Sequence, residues 1–239
     1  MTKQNQVQSR VDAIQWEAVY QALNESGWAM LPKLLDASEC NSLRELYDKD
    51  SSFRNRIIMA RHGYGKGEYR YFAYPVPAMV EQLRTALYSR LMPLANLWHE
   101  LLRIEVRFPE QHAEFIQRCH EAGQLRPTPL LLQYGEGDFN CLHQDLYGQH
   151  QFPFQAAILL SDPQNDFEGG EFVLTEQRPR MQSRATVIPL TKGDAVVFAV
   201  NHRPARSVRG YYRMTLRHGV STIRSGHRHT LGIIFHDAT

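Results

Sequence analysis

The chain has few cysteines and lacks any long apolar run. Three cysteines among 239 residues are too few, and odd in number, for a disulfide framework, which favours a reducing cytoplasm. No apolar stretch approaches the roughly 20 residues that a membrane helix needs, and the first ten residues contain no apolar signal region. We therefore expect a cytoplasmic protein without a membrane partner, in which Cys141 is a small, half-buried residue.

Acidic residues are scarce in the last quarter of the chain. From Arg178 to His236, eleven Lys and Arg residues stand against one acid, Asp194, so this stretch carries +10; the whole chain carries +2, leaving −8 elsewhere (2 − 10). Arginine offers a planar fork of donors that suits phosphate or carboxylate. Such a surface suits nucleic acid or an acidic peptide, and it is also typical of solvated strand faces.

Basic and aromatic residues alternate irregularly within residues 53–74. The basic ones are Arg54, Arg56, Arg61, His62, Lys66 and Arg70, and the aromatic ones are Phe53, Tyr64, Tyr69, Tyr71, Phe72 and Tyr74. This mixture suits phosphate contact combined with base stacking. It is equally typical of a β-hairpin or lid packed by its own aromatic side chains. A lid over a site also touches substrate, so the two interpretations are compatible.

The most informative motif is His143-Gln144-Asp145, followed by His218. Two imidazoles and one carboxylate can occupy one face of an Fe(II) octahedron and leave the opposite face open. An H-x-D pair alone is a weak signal, because eleven histidines give many chance pairings. Residues i and i+2 on a strand point to the same face, so we expect His143 and Asp145 to reach one ion from one strand.

Arg228 follows the second histidine of this motif by ten residues. The stretch from Arg213 to Val220 mostly alternates, Ser225-Gly226 predicts a turn, and alternation resumes at Arg228. We expect a hairpin that returns Arg228 beside the second histidine. A buried guanidinium there needs an anion, and a dicarboxylate ligand would supply one.

Three further histidines compete for a place in the site. His202 is the rival second ligand, but Tyr212 stands ten residues after it and offers no charge for a carboxylate. Residues 201–204 predict a loop. His150 and His236 have no supporting motif, and we expect all three to be structural or exposed.

Several segments within residues 128–237 together resemble a known enzyme family. They are Tyr134-Gly135-x-Gly137, His143-x-Asp145, Gly169-Gly170-Glu171-Phe172, Lys192-Gly193-Asp194-Ala195-Val196-Val197-Phe198, and His218-Gly219-Val220 with Gly226 and Arg228 beyond it. In order and spacing they resemble the 2-oxoglutarate/Fe(II)-dependent oxygenases of the prolyl-hydroxylase-like branch. Residues 140–148 and 170–184 further resemble a bacterial subfamily described as acting on damaged DNA.

This resemblance implies a set of site residues. Iron would be held by His143, Asp145 and His218. Arg228 would pair with the distal carboxylate of 2-oxoglutarate, Thr230 resembles its hydroxyl partner, and Tyr134 resembles a tyrosine that contacts the same cosubstrate. One departure is that many members of the branch carry Lys at position 228.

The implied activity is hydroxylation of a substrate with release of succinate and CO2. For an N-methylated base this amounts to oxidative demethylation of damaged nucleic acid, and access would require a single-stranded or flipped base. The alternative is a protein or peptide hydroxylase of the prolyl type, which the motif order favours. Residues 53–74 favour nucleic acid. A non-catalytic binding module is a third possibility, against which the intact ligand set with Arg228 argues.

The predicted fold class is α+β. Short strands dominate from residue 126 onward, as in a sandwich or barrel, and the resemblance implies a double-stranded β-helix with N-terminal helices packed outside. Apolar residues at helical spacing before Gly27 predict one helix, and Pro93 is expected to divide or kink another. We expect residues 1–239 to form a single oxygenase domain, with residues 1–125 a mainly helical buttress and lid and residues 126–239 the core.

Overall fold

The computed structural model describes residues 3–239. The α-helices are α1 (Lys3–Asp12), α2 (Trp16–Ser26), α3 (Ala37–Arg44), α4 (Ala78–Leu101) and α5 (His112–Glu121). The strands are β1 (Trp28–Leu31), β2 (Phe53–Ile58), β3 (Gly65–Lys66), β4 (Glu68–Phe72), β5 (Leu130–Tyr134), β6 (Phe139–His143), β7 (Phe154–Leu159), β8 (Phe167–Gly169), β9 (Phe172–Gln177), β10 (Ser183–Ile188), β11 (Ala195–Ala199), β12 (His202–Ser207), β13 (Gly210–Val220), β14 (Ile223–Gly226) and β15 (Arg228–Ile234).

Two antiparallel sheets form the body of the protein. The larger has the strand order β1-β11-β7-β15-β5-β4-β2. The smaller has the order β10-β9-β13-β6-β3, with β12 also paired to β13, and β14 and β8 form a short separate pair. This combination of helices and antiparallel sheets confirms the predicted α+β class. None of the helices within residues 3–239 is long and apolar enough to cross a membrane.

Strand β7 shows how the sequence builds two apolar layers. All six of its residues are buried, and successive side chains point to opposite faces of the sheet. Ala156 and Ile158 pack in the cluster shared with the helices, whereas Ala157 and Leu159 pack in the cluster between the two sheets. A strand covered on both faces lacks polar alternation, which explains why all of its residues except Gln155 are apolar.

The helices before the first strand differ in extent from the prediction. One helix was expected before Gly27, but there are two, because the chain leaves helical conformation between Asp12 and Trp16. The indole N–H of Trp16 donates a 2.8 Å hydrogen bond to the backbone oxygen of Val11 across this break. Gly27 ends α2 as predicted, with φ 76° and its N–H bonded to the backbone oxygen of Leu23.

Helix α4 is the main support behind the larger sheet. It is continuous across Pro93, so the expected division there is wrong; Pro93 is exposed, and the buried face continues through Leu91 and Leu94. Arg84 of this helix donates a 2.7 Å hydrogen bond to Asp237 with both side chains fully buried. The pair ties α4 to the segment that follows β15.

A hairpin from the first half of the chain joins both sheets. Strand β4 pairs with β5 of the larger sheet, with Tyr71 opposite Leu130. Strand β3 pairs with β6 of the smaller sheet, with Gly65 opposite Asn140. Together with β1 at the edge of the larger sheet, these strands make the first 125 residues part of the β-structure. This sharing supports the interpretation of the chain as one domain, which stays a prediction.

Two segments expected to be irregular are strands. Residues 201–204 were expected to form a loop, but β12 begins at His202 and pairs with β13. Pro204 is tolerated there because β12 has a neighbour on one side only, and an edge strand does not need every N–H. Ser225 and Gly226, expected to form a turn, lie in β14 and pair with β8.

Candidate active site

The three residues of the predicted metal group come together at the meeting of β6 and β13. His143 is the last residue of β6, and its partner in the β6–β13 register is His218. Asp145 lies two residues beyond the end of β6, so the expectation that it shares a strand with His143 is wrong. The turn of the chain after β6 brings its carboxylate to the two imidazoles instead.

The distances within this group suit a single ion. Nε2 of His143 lies 3.5 Å from Oδ1 of Asp145, and Nε2 of His218 lies 3.3 Å from Oδ2. One potential ligand atom from each residue falls within 4.8 Å of the others. Nδ1 of His143 lies 2.7 Å from the backbone oxygen of Cys141, to which it can donate. That hydrogen bond leaves the Nε2 lone pair directed at the group, as metal-binding histidines require.

The site favours the ionised form of its carboxylate. Asp145 and His218 are 8% and 6% exposed, and burial by itself would raise the pKa of the carboxyl. The hydrogen bond and charge of His218, the charge of His143 and the hydroxyl of Tyr147 outweigh that effect and hold the pKa of Asp145 well below its usual range. Burial lowers the pKa of His218. An ionised carboxylate, and an imidazole whose neutral form is favoured by burial, suit metal binding.

Gly219 permits the close approach of the two strands that carry the histidines. A Cβ at this position would lie 2.7 Å from the backbone oxygen of Asn140 on β6. No side chain fits into that gap. Gly219 therefore allows β13 to lie close to β6. It directly follows His218, one of the three candidate metal ligands.

Arg228 faces the metal group from the opposite sheet. The expected hairpin beside His218 is wrong, because β15 pairs with β5 and β7 in the larger sheet and not with β13. Arg228 and His218 nevertheless line the same cavity between the sheets. Arg228 is 2% exposed, and its guanidinium donates a 2.6 Å hydrogen bond to the hydroxyl of Thr230.

The guanidinium of Arg228 has no acidic partner. Among residues 3–239 no carboxylate forms an ion pair with it, and its Nε is buried without a hydrogen-bond partner. Burial lowers its pKa to about 10, which still leaves it protonated at neutral pH. Tyr134, which is fully buried, lies with its ring 5.8 Å from the guanidinium carbon. A buried cation without a counter-ion is a site for an anionic ligand.

The cavity that holds both features has a volume of about 230 Å³. Besides the residues expected from the sequence, tyrosines dominate its wall: Tyr64, Tyr69, Tyr71 and Tyr147. Tyr147 was missed, although its position two residues after Asp145 was a possible signal. Tyr69 and Tyr71 were seen only as part of an aromatic segment, because their place in the cavity depends on the long-range pairing of β4 with β5.

The rival histidines lie outside the metal group. His202 and His150 line a different cavity, and His236 is buried, with Nδ1 accepting the backbone N–H of Phe152 at 3.2 Å. Cys141, expected to be half-buried, is exposed. Cys40 and Cys119 are buried, and all three thiols are free.

Most cations of residues 53–74 are already engaged. Arg56 pairs with Glu68, and Arg70 lies 2.5 Å from Asp50. Arg54 stacks its guanidinium 4.4 Å above the ring of Tyr71. Arg61 and His62 are exposed and have no ion-pair partner within residues 3–239, and exposed Lys66 lies 3.7 Å from Asp138.

The residues present fit Fe(II) and 2-oxoglutarate. Two imidazoles and a carboxylate form the donor set that leaves three positions of an iron octahedron open. The buried, unpaired Arg228 across the cavity suits the free end of a dicarboxylate. One site thus offers matching chemistry to both the metal and the cosubstrate expected from the sequence.

Comparison with solved structures agrees with this architecture. A prolyl-4-hydroxylase from Pseudomonas putida is 16% identical with a TM-score of 0.56, covering 94% of this chain and 100% of that one. An oxidoreductase of the 2OG-Fe(II) oxygenase family from Burkholderia pseudomallei is 16% identical with a TM-score of 0.55, covering 95% and 94%. At such low identity these likenesses show the fold alone, and they confirm the predicted double-stranded β-helix with helices outside.

Sequence comparison identifies the family. An uncharacterized protein of Mycobacterium tuberculosis strain H37Rv is 49% identical over 167 residues, which are 70% of this chain and 72% of that protein. The model of the family Oxygenase-NA, described as "Oxygenase, catalysing oxidative methylation of damaged DNA", matches residues 67–238. That range contains His143, Asp145, His218 and Arg228, whereas Tyr64 of the cavity wall precedes it. The resemblance stated from the sequence is thereby confirmed: this chain is an oxygenase and belongs to the Oxygenase-NA family.

Proposed function

We propose that this protein is an Fe(II)- and 2-oxoglutarate-dependent dioxygenase that oxidises methylated bases in single-stranded or damaged nucleic acid. The observation that carries the proposal is the placement of the His143–Asp145–His218 group opposite the unpaired Arg228 within one cavity. When bound, Fe(II) and 2-oxoglutarate together with dioxygen supply the oxidation of a C–H bond, with release of succinate and CO2.

The protein's part in this chemistry is to bind and to orient. His143, Asp145 and His218 would hold the metal, with His143 fixed by the backbone oxygen of Cys141. Arg228 would bind the distal carboxylate of 2-oxoglutarate, and the hydroxyl of Thr230 fixes the guanidinium for that contact. Burial raises the pKa of Tyr134 to about 12, so its phenol stays protonated and can donate to the same ligand.

A methyl group on a ring nitrogen suits this reaction. Hydroxylation turns N–CH3 into N–CH2OH, and cleavage of the C–N bond then releases formaldehyde and returns the proton to the ring nitrogen. The base must leave its stack to reach an enclosed cavity, so a single-stranded or flipped base is required. Tyr64 stands at the cavity wall, half exposed, and stacks on His62 with ring centroids 5.3 Å apart. This pair offers a surface on which a neighbouring base can stack.

The charge distribution supports a polyanionic substrate. Arg184 and Arg203 pair with Glu176, and Arg224 pairs with Glu171. Between residues 178 and 236, the exposed arginines for which the described chain provides no ion pair are Arg178, Arg180, Arg206, Arg209, Arg213 and Arg217. Because β9 and β13 are antiparallel neighbours, the β9–β10 and β12–β13 turns lie at one end of the smaller sheet. Arg178, Arg180, Arg206 and Arg209 lie in or beside these turns and make that end of the sheet basic.

The decisive experiment compares substrates side by side. Succinate release is measured with methylated single-stranded DNA, the same strand without methyl groups, and a panel of proline-containing peptides. We expect methylated DNA to stimulate succinate release and to yield formaldehyde, with Asp145→Ala as the inactive control. Stimulation by a peptide, with none by either strand, would reject nucleic acid in favour of the alternative, a protein or peptide hydroxylase.

A further inference from the structure

A second cavity, of about 350 Å³, lies on the other side of the segment that carries Asp145. Asp145 and Tyr147 line the first cavity, and Leu146 between them lines the second. Gln144, at the first cavity, donates a 2.9 Å hydrogen bond to the side-chain oxygen of Asn201, which lines the second. The two cavities are therefore separated by a thin wall that includes a residue of the proposed metal group.

The second cavity combines an apolar floor with polar walls. Trp98, Phe108 and Phe152 form its buried base, and Ile104 and Val106 line its margin. Three imidazoles stand around it, those of His99, His150 and His202. Planar rings with hydrogen-bonding edges fit such a site, because the floor accepts an apolar face and imidazoles can donate to or accept from ring nitrogens and carbonyls.

The charge of this cavity is positive. Arg213 lines it and is exposed, and within residues 3–239 it has no ion-pair partner; no aspartate or glutamate lines the cavity. Burial lowers the pKa of His202, and the neighbouring Arg213 cation lowers it further. An uncompensated cation beside an apolar floor calls for a ligand that carries both an anion and a flat ring.

We propose that the second cavity binds the nucleotide next to the one in the active site, with its base on the apolar floor and its phosphate on Arg213. This inference rests on the nucleic-acid substrate of the proposed function. An apolar peptide side chain would fill the floor but leave the guanidinium without a partner. A free anion would need only the guanidinium. A nucleotide of single-stranded nucleic acid uses both the apolar floor and the guanidinium. Because the two cavities share a wall, the next nucleotide would lie at the active cavity.

The first test is a pair of charge-matched variants of the full chain. Arg213→Ala removes the cavity's guanidinium, whereas Arg206→Ala removes an exposed, unpaired arginine of β12 that lines neither cavity. Binding of a fluorescein-labelled single-stranded oligothymidylate is followed by anisotropy over a salt series. We expect Arg213→Ala to reduce the log–log salt slope by about 0.7, the value of one lost phosphate contact, and Arg206→Ala to leave it closer to wild type.

The second test probes the contact between the nucleotide's base and the apolar floor of the second cavity. Val106→Glu places a carboxylate at the cavity margin, and Val208→Glu places the same charge on the fully exposed turn between β12 and β13. We expect the first to weaken oligothymidylate binding by about tenfold more than the second. Val208→Glu, which changes an exposed turn away from both cavities, should leave succinate formation without nucleic acid unchanged.

The outcomes separate the two proposals. If wild-type protein binds no oligonucleotide at low salt, the nucleic-acid function fails and the second subsite fails with it. If wild type binds but Arg213→Ala matches Arg206→Ala and the two glutamate variants agree, binding is diffuse surface electrostatics. The subsite is then overturned while the proposed function stands.

Discussion

The phenol hydroxyl of Tyr147 donates a 2.8 Å hydrogen bond to Oδ1 of Asp145. Tyr71 in turn donates to the Tyr147 oxygen at 3.1 Å, and the guanidinium of Arg54 lies over the Tyr71 ring. Burial and the Asp145 charge raise the pKa of Tyr147, so this phenol remains a donor. The carboxylate is thus held in one orientation by a chain of groups that ends on the β2–β4 hairpin.

Tyr147→Phe tests this orientation directly. The substitution removes the hydroxyl and keeps the ring, so the fold should persist while the Asp145 carboxylate gains freedom. Loss of a group that orients a metal ligand typically weakens metal binding by 10–100-fold, and we expect a loss at the lower end of that range, about tenfold. Titration with Co(II), followed by its visible spectrum, measures the affinity. Tyr71→Phe, one step further from the carboxylate, is the matched control with a smaller effect.

The metal group itself is tested by removing its members. His143→Ala or Asp145→Ala should abolish iron-dependent succinate formation, because a facial set of three ligands cannot lose one and keep its geometry. Circular dichroism should show an unchanged fold. His202→Ala should retain iron binding. Loss of binding in that variant, with His218→Ala unaffected, would show that the other histidine is the ligand.

Arg228→Ala should raise the concentration of 2-oxoglutarate needed for half-maximal turnover far more than it changes Fe(II) affinity. Truncation leaves the distal carboxylate of the cosubstrate without its charge-assisted partner in a dry pocket, at a cost of roughly 10- to 100-fold. Arg228→Lys should recover part of the loss by restoring the charge without the planar fork. An unchanged 2-oxoglutarate requirement in Arg228→Ala would mean that a different residue binds that carboxylate.

Acid should destabilise the fold through buried neutral histidines. Burial lowers the pKa of His112 to about 3 and that of His229 to about 4. In the unfolded chain the pKa of a histidine is about 6.5. Below that pH the unfolded chain binds protons that the folded chain does not bind, so the free energy of unfolding falls as pH drops from about 6.5 toward 4. Each histidine contributes up to about 1.4 kcal/mol per pH unit in that window.

Urea unfolding at a series of pH values measures this dependence. His112→Gln keeps an amide donor for the backbone oxygen of Phe235, to which Nε2 of His112 is bonded at 2.9 Å. In this variant the free energy of unfolding should depend less steeply on pH, by the contribution of one histidine. A slope equal to that of wild type would show that His112 does not titrate differently on unfolding.

Local patterns are sufficient for some strands and for the three residues that β6, the segment after it and β13 bring together. Strand β5, Leu130–Tyr134, is a short apolar run followed by turn residues, and such a run is a local signal. Asp36 and Glu39 form a capping box with both reciprocal hydrogen bonds, and the three-residue spacing that favours it is also local. His143, Asp145 and His218, which lie close together, each stand in a segment with a recognisable local pattern, and their role as metal ligands stays a prediction.

Features that depend on long-range pairing were predicted poorly. Alternation cannot show which strand lies beside which, so Arg228 was expected on a hairpin with His218 and instead faces it from the other sheet. The same limit hid the contact of Tyr147 with Tyr71, which is set by tertiary packing. Pro204 misled the prediction of β12, because an edge strand tolerates a residue that a central strand excludes.

The attachment of the β2–β4 hairpin to both sheets bears on how ligands enter. A segment whose β4 strand is bonded to β5 and whose β3 strand is bonded to β6 cannot swing on a hinge without breaking two sets of backbone hydrogen bonds. Tyr69 and Tyr71 therefore present a permanent opening of fixed shape. Ligand association should be a one-step process whose observed rate rises linearly with concentration, with no plateau set by a slow opening motion.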